Sequence, residues 1–263
     1  MNIITLGPIG TYSHEAAKSL FTDKEITFAP NFEILFDAVG SGSHVGFVPF
    51  ENSLHGSVVE VHDLIVETDV QVWQMHDVAI EHALGATNGD IVTIASHSQA
   101  WAQCRRYLKE HYPNAERFPV SSTGYAIDLA LADPTVAAIA SKSAMEEAGL
   151  PVIVDQLEEN GNLTRFAVIA NEDPFPDTER SEMGLVFHMT GDKPGLLHDI
   201  LSPFKIYNVN LTKIENRPTG KGIGDYHFFL HLVGTLNDAR TQQTLKEIEE
   251  MEGVEIVKIM GTW

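Results

Sequence analysis

A chain of 263 residues, 43% hydrophobic and 21% charged, has room for two cores and the composition of a soluble globular protein. Its formal charge of −20 sits mostly in the first 181 residues, where 26 Asp or Glu face 9 Lys or Arg, which argues against nucleic acid or anionic membrane as partners. Apolar runs are only strand-length, so no membrane span is expected, and the single cysteine, Cys104, cannot close an internal disulfide, which fits a reducing, cytoplasmic setting.

The start, Met1–Leu6, lacks a basic flank and runs into Gly7-Pro8, so it reads as a first strand and not a signal peptide. A helix follows the hydroxyl-rich turn, with Thr11 or Ser13 as its cap. Neither the spacing of a dinucleotide fingerprint nor a Walker lysine is present. Ile26–Ala29 is a short strand, and Asn31 caps a helix over Phe32–Val39. Val45–Pro49 is a third strand that ends in the polar run Glu51-Asn52-Ser53 before another helix. Val70–Ala83 alternates as extended structure; its His76 and His82 lack partners at ligand spacing, so no metal site is expected.

Ile91–Ala95 is a strand, and Ser96–Gln99 opens a helix with Trp101, Cys104 and Leu108 inward. Ser121–Thr123 starts a helix over Gly124–Leu131, Val136–Ala140 is a strand, Ser141 caps the next helix, and Gly149 ends it. Val152–Val154 is a strand, and Asn162-Leu163-Thr164-Arg165-Phe166 leads into the buried strand Phe166–Ala170. Four times an apolar strand delivers a polar cluster to a helix start: Gly10–Ser13, Glu51–Ser53, Ser96–Gln99 and Ser121–Thr123. Parallel α/β sheets gather such ends along one crevice, and helix N-termini there bind carboxylates without many cations. A small dicarboxylate or similar anion is therefore the expected ligand, with Arg165 beside it.

Asp173–Ser181 is rich in proline and charge and reads as a linker that few contacts cross. Beyond it the predicted order is strand Met183–Met189, helix Pro194–Tyr207, strand Asn210–Asn216, strand Tyr226–Val233, helix Asn237–Met251, strand Val254–Met260. This βαββαβ order is ferredoxin-like.

These motifs together resemble prephenate dehydratase over residues 1–180 and its ACT regulatory domain over 183–263. The resemblance rests on Gly7-Pro8 through Ser13, Val48–Ser53, Ser98-Gln99-Ala100, Ala138–Ser141 and Thr164-Arg165-Phe166. It implies an α/β catalytic domain of two lobes, similar to periplasmic binding proteins, near 1–75 plus 160–180 and near 76–159. It also implies conversion of prephenate, a dianion, to phenylpyruvate with loss of water and carbon dioxide in L-phenylalanine synthesis, without a cofactor. Thr164 matches the family's essential threonine and would donate a hydrogen bond to the leaving oxygen. Arg165 would pair with a substrate carboxylate, and Thr11, Asn52, Ser53, Gln99, Ser122, Thr123 and Phe166 would fix the substrate. Glu51 reads as structural.

In the ACT part Gly195-Leu196-Leu197-His198 is similar to the family's Gly-Ala-Leu-Val, and Glu215-Asn216-Arg217-Pro218 to its Glu-Ser-Arg-Pro. The resemblance implies L-phenylalanine as effector, bound between ACT domains of a homodimer or homotetramer. Gly195, Leu196, Leu197, Asn210, Leu211, Glu215, Asn216, Arg217 and Pro218 would flank it. Arogenate dehydratase, or a two-lobed amino-acid sensor without chemistry, are the alternatives.

Overall fold

In a computed structural model the described residues are 2–157, 161–189, 194–222 and 225–263. The first lobe runs β1 (Ile3–Leu6), α1 (Tyr12–Leu20), β2 (Ile26–Ala29), α2 (Phe32–Gly40), β3 (Val45–Asn52), β4 (Gly56–Ser57), α3 (Val59–Glu67) and β5 (Gln71–Ala79). The chain then builds a second lobe from β6 (Ala83–Gly85), β7 (Thr93–His97), α4 (Ser98–His111), β8 (Glu116–Val120), α5 (Thr123–Ala132), β9 (Val136–Ala140), α6 (Lys142–Ala148) and β10 (Val152–Val154). It returns to the first lobe through β11 (Leu163–Ala170), which lies antiparallel between β3 and β5. The C-terminal unit is β12 (Glu182–Met189), α7 (Leu196–Ile206), β13 (Leu211–Pro218), β14 (Tyr226–Val233), α8 (Ala239–Glu249) and β15 (Val254–Thr262).

Local chemistry explains the starts and stops. Thr11, Asn31, Ser122 and Ser141 each accept a backbone N–H at a helix start, satisfying a donor that the helix itself leaves open. Gly149 ends α6 in the left-handed region, φ 76°. The short β4 was not foreseen; it folds back on β3 through Glu51↔Ser57 and Asn52↔Gly56. Cys104 is buried in the second lobe, as its helical spacing predicts.

The linker expectation fails. The two units share one ten-stranded sheet in the order β13-β14-β12-β15-β5-β11-β3-β1-β2, with β4 on β3. The junction is the parallel pair Gly261↔Val72. Val186, Phe229 and Met260 of the C-terminal unit pack in the same apolar cluster as Phe50, Val61 and Ile65 of the first lobe. Burying side chains of this size contributes on the order of 2 kcal/mol each. Lys258 reaches across from β15 and donates to the carbonyls of Ile65 (2.6 Å), Thr68 and Val70 (2.8 Å), around the C-terminal end of α3. Even the proline-rich segment is anchored: Arg180 pairs with Asp173 at 2.6 Å and lies 5.0 Å over the Trp73 ring.

Two histidines are sealed into this junction. His62 Nδ1–H donates to Val58 O at 3.0 Å, and its Nε2 has no partner among the described residues. His231 stands edge-on to Trp263, also with an unpartnered Nε2. Burial pulls His62 down to about 4 and His231 to about 3, and Lys213 opposes protonation of both. Arg165 acts with it at His231, whereas Glu215 and Glu51 favour the charged form of His62. An unfolded histidine titrates near 6.5, so stability is complete above that pH and falls as pH drops through 6.5 toward 4. At pH 5 the loss is about 2 kcal/mol per histidine. The half-buried Glu15, raised by burial, works in the opposite sense. Urea midpoints at pH 7.5 and 5.0 should therefore differ more in the wild type than in His62→Gln; equal differences would refute the assignment.

Candidate active site

The four polar clusters converge on one cleft of about 370 Å³ between the lobes. Thr11 to Ser13, Asn52, His97 with Gln99, and Ser121 to Thr123 all line it, and Thr164 and Phe166 border it from β11. Among the described residues no Asp, Glu, Lys or Arg lines it. Three helices point their N-termini at it instead. Thr11 Oγ1 accepts from His14 N at 3.3 Å, Ser122 Oγ from Tyr125 N at 3.1 Å, and His97 Nδ1 from Gln99 N at 3.4 Å. The partial positive charge of α1, α4 and α5 thus faces the same space, which suits carboxylates within an acidic protein. Burial holds His97 below its usual value, so its ring is neutral and serves as the cap acceptor.

Asn52 organises the centre. Its Nδ2 shares two protons among Asn162 Oδ1 (2.7 Å), Thr164 Oγ1 (3.0 Å) and the more distant Leu163 O (3.2 Å). Its Oδ1 accepts from the backbone of Leu54 (3.0 Å) and His55 (3.1 Å). Because Thr164 Oγ1 accepts from the amide, its own hydroxyl proton is left for a group in the cleft. Phe166 is buried beneath it and stacks on Phe47 at 4.8 Å. That aromatic floor fixes the strand carrying Thr164.

Two expected cleft residues are elsewhere. Side chains alternate along a strand, so Arg165 leaves β11 on the face opposite Thr164. It forks onto Asp77, Nε to Oδ1 at 2.7 Å and Nη2 to Oδ2 at 2.8 Å, and holds that carboxyl below the usual range. Ser53 Oγ accepts from Leu163 N at 3.0 Å and ties the β3 turn to β11. Both line a separate pocket of about 310 Å³ at the junction with the C-terminal unit, together with Glu51, Lys213 and His231.

The sequence assigned no substrate role to Asn162, Tyr12, His82 or Gln103, all of which line the cleft. His82 is buried, with its ring edge-on to Tyr12 at 5.3 Å. Asn162 Nδ2 is buried with no partner among the described residues, a donor open to the cleft. Its position beside Thr164 was the available signal.

The lobes touch where α5 begins. Thr123 Oγ1 donates to Gly10 O at 3.2 Å, and a Cβ on Gly124 would stand 2.8 Å from Ile9 O. Gly124→Ala should wedge the lobes apart, raising KM several-fold with little change in thermal midpoint; unchanged KM in steady-state kinetics would show that the cleft tolerates the wedge.

In the C-terminal unit Gly195 opens α7 in the left-handed region, Leu196 is buried in the unit's own core, and Leu197 and Leu211 pack against that core. Asn210 O accepts from Val233 N at 2.8 Å, so that carbonyl is engaged within the sheet. Glu215 and Arg217 are correspondingly not free for an effector. Glu215 accepts from Ser57, and Arg217 forks onto Asp63 at 3.0 and 2.8 Å. The reason is again strand alternation: beyond the register shift after Leu211, Lys213, Glu215 and Arg217 of β13 face the first lobe, and Asn216 and Pro218 are exposed on the other side.

The family model for prephenate dehydratase matches residues 3–174, and that for the ACT domain matches 184–250. A prephenate dehydratase of Methanocaldococcus jannaschii is 34% identical, with 92% of this chain and 91% of that protein covered. A bifunctional chorismate mutase/prephenate dehydratase of Stutzerimonas stutzeri is 34% identical over the whole of this chain and 73% of its own length. The solved structure of prephenate dehydratase from Arthrobacter aurescens in complex with L-Phe superposes with a TM-score of 0.87 at 29% identity, covering 100% of this chain and 89% of that one. A donor-lined cleft around a threonine, a C-terminal βαββαβ unit and these matches lead to one conclusion: the chain belongs to the prephenate dehydratase family and carries a C-terminal ACT domain.

Proposed function

We infer that this chain converts prephenate to phenylpyruvate, releasing water and carbon dioxide. The observation that carries the reading is the Asn52–Thr164 hydrogen bond inside a cleft lined by helix N-termini and, among the described residues, by no carboxylate. Prephenate brings two carboxylates and a ring hydroxyl. Breaking the bond between the ring and its carboxylate releases carbon dioxide, and the electron pair aromatises the ring as the hydroxyl oxygen departs. One proton is taken up to make water. Aromatisation supplies the driving force, so the site has to orient the dianion and relieve the charge that grows on the departing oxygen. Thr164 O–H donates to that oxygen, and Asn52 holds the threonine by donating to it. Glu51 cannot serve as the acid there, because it faces the junction pocket. The carboxylates meet the N–H groups of α1, α4 and α5 and the open amide of Asn162.

The ACT domain makes L-phenylalanine the proposed effector, acting on a homodimer or homotetramer formed through that domain. The effector inhibits by binding the less active arrangement better, so substrate must in turn weaken its binding. Purified protein mixed with prephenate should form phenylpyruvate, read by its absorbance in alkali, and L-phenylalanine should slow it. No phenylpyruvate would refute the activity; undiminished turnover at millimolar L-phenylalanine, with no heat on titration, would refute the effector.

A further inference from the structure

We propose that Lys213, in the C-terminal domain, is a positioning residue for the reaction: it grips the β3–β4 hairpin from behind and thereby keeps Asn52 in register with Thr164. This rests on the role of Thr164 inferred above. The Lys213 ammonium lies 3.1 Å from Glu51 Oε1, 3.3 Å from Glu215 Oε2 and 2.5 Å from Ser57 Oγ. It also stands 5.9 Å from the Phe50 ring centre. Its side chain is only 14% exposed, so these are sheltered contacts and not a surface pair.

Glu51 and Ser57 are cross-strand partners, one on each arm of the hairpin, and the next pair is Asn52 with Gly56. Lys213 therefore holds both arms one residue before the turn that Asn52 begins. Alternation sends Glu51 to the domain junction and Asn52 to the cleft. On β11 the same holds for Arg165 and Thr164, which pair with Glu51 and Asn52 in register. A shift of the hairpin moves Asn52 against Thr164, and a catalytic hydrogen bond loses much of its worth when displaced by an ångström. Without the cation, Glu51 of the hairpin and Glu215 of β13 would be left as two like charges across the domain junction, which destabilises it.

The test is steady-state kinetics on the full chain with prephenate. Lys213→Met should lower kcat at least tenfold with KM within threefold of wild type, and Lys213→Arg should recover kcat to within threefold. If Lys213 works through Asn52, then Lys213→Met should cost little or nothing further in an Asn52→Ala background, since residues acting as one unit are not additive. Should Lys213→Met fail to fold, as judged by circular dichroism and thermal midpoint, Lys213→Met/Glu215→Gln removes the like-charge clash and should show the same loss of kcat. Wild-type kcat in the folded variant, an effect on KM alone, or fully multiplicative losses with Asn52→Ala would overturn the proposal. An inactive wild type, or an undamaged Thr164→Ala, would instead overturn the reading beneath it.

Discussion

Thr164→Ala should lower kcat at least 100-fold while KM changes by less than threefold. The hydroxyl oxygen accepts from Asn52 Nδ2 at 3.0 Å, which leaves its own proton to be donated in the cleft. Removing a positioned donor to developing negative charge costs about 2.7 kcal/mol or more in the barrier, which is the 100-fold predicted. Substrate carboxylates meet other groups, so ground-state binding should survive. Thr164→Val, which keeps the branched shape in a buried strand without the hydroxyl, should match the alanine variant. Thr164→Ser should retain activity within about tenfold of wild type, since it keeps a donor but loses the methyl that fixes the rotamer. Wild-type kcat in the valine variant would remove Thr164 from the chemistry.

Gly261→Ala should be among the most destabilising single substitutions in the molecule. Gly261 has φ 142°, where an L side chain is strained, and it pairs with Val72 at the one point where β15 joins β5. A Cβ there would stand 1.9 Å from Val72 O and 2.6 Å from Val72 N, both backbone atoms that have no rotamer to escape into. The pair must separate, which opens the apolar cluster containing Phe229 and Met260. A loss of about 4 kcal/mol or more is expected, equivalent to roughly 10 °C in thermal midpoint for a chain of this size, or a second unfolding step as the domains part. Gly42→Ala is the control: φ is 74°, but nothing lies within 4 Å of its Cβ, so only backbone strain remains. Equal midpoints for the two variants would contradict the junction described here.

Much of the fold was legible because its signals are local. Strands Val136–Ala140, Val152–Val154 and Tyr226–Val233 fall where apolar runs between turn residues placed them. The caps at Asn31 and Ser141 and the stop at Gly149 are short-range chemistry and follow from residue type. The convergence of four polar clusters followed from a general property of parallel α/β sheets.

What was not legible depends on which face of a strand looks where. Thr164 and Arg165 are neighbours in sequence and opposite in space, and nothing local says which faces the cleft. Glu215 and Arg217 met the same ambiguity. The domain junction was hidden for a related reason. Tyr226–Val233 is buried on both faces, with Leu230 toward the C-terminal core and Phe229 toward the first lobe. That two-sided apolar character was in the sequence, but the proline-rich segment before it suggested separation. Asn162 opens the stretch that leads to Thr164 but received no substrate role, because an asparagine in a loop is ordinarily a turn residue; its buried amide, unpartnered among the described residues, marks it as part of the site.

In the proposed function, helix starts and amides, not arginine, hold the dianion, with the departing oxygen on Thr164. A crystal structure with an unreactive prephenate analogue bound tests this most directly. It should place the ring oxygen within hydrogen-bond distance of Thr164 Oγ1, and the carboxylates against the N-termini of α1, α4 or α5, with Arg165 still on Asp77. An analogue whose carboxylate had drawn Arg165 away from Asp77, or whose ring oxygen lay out of reach of Thr164, would contradict it.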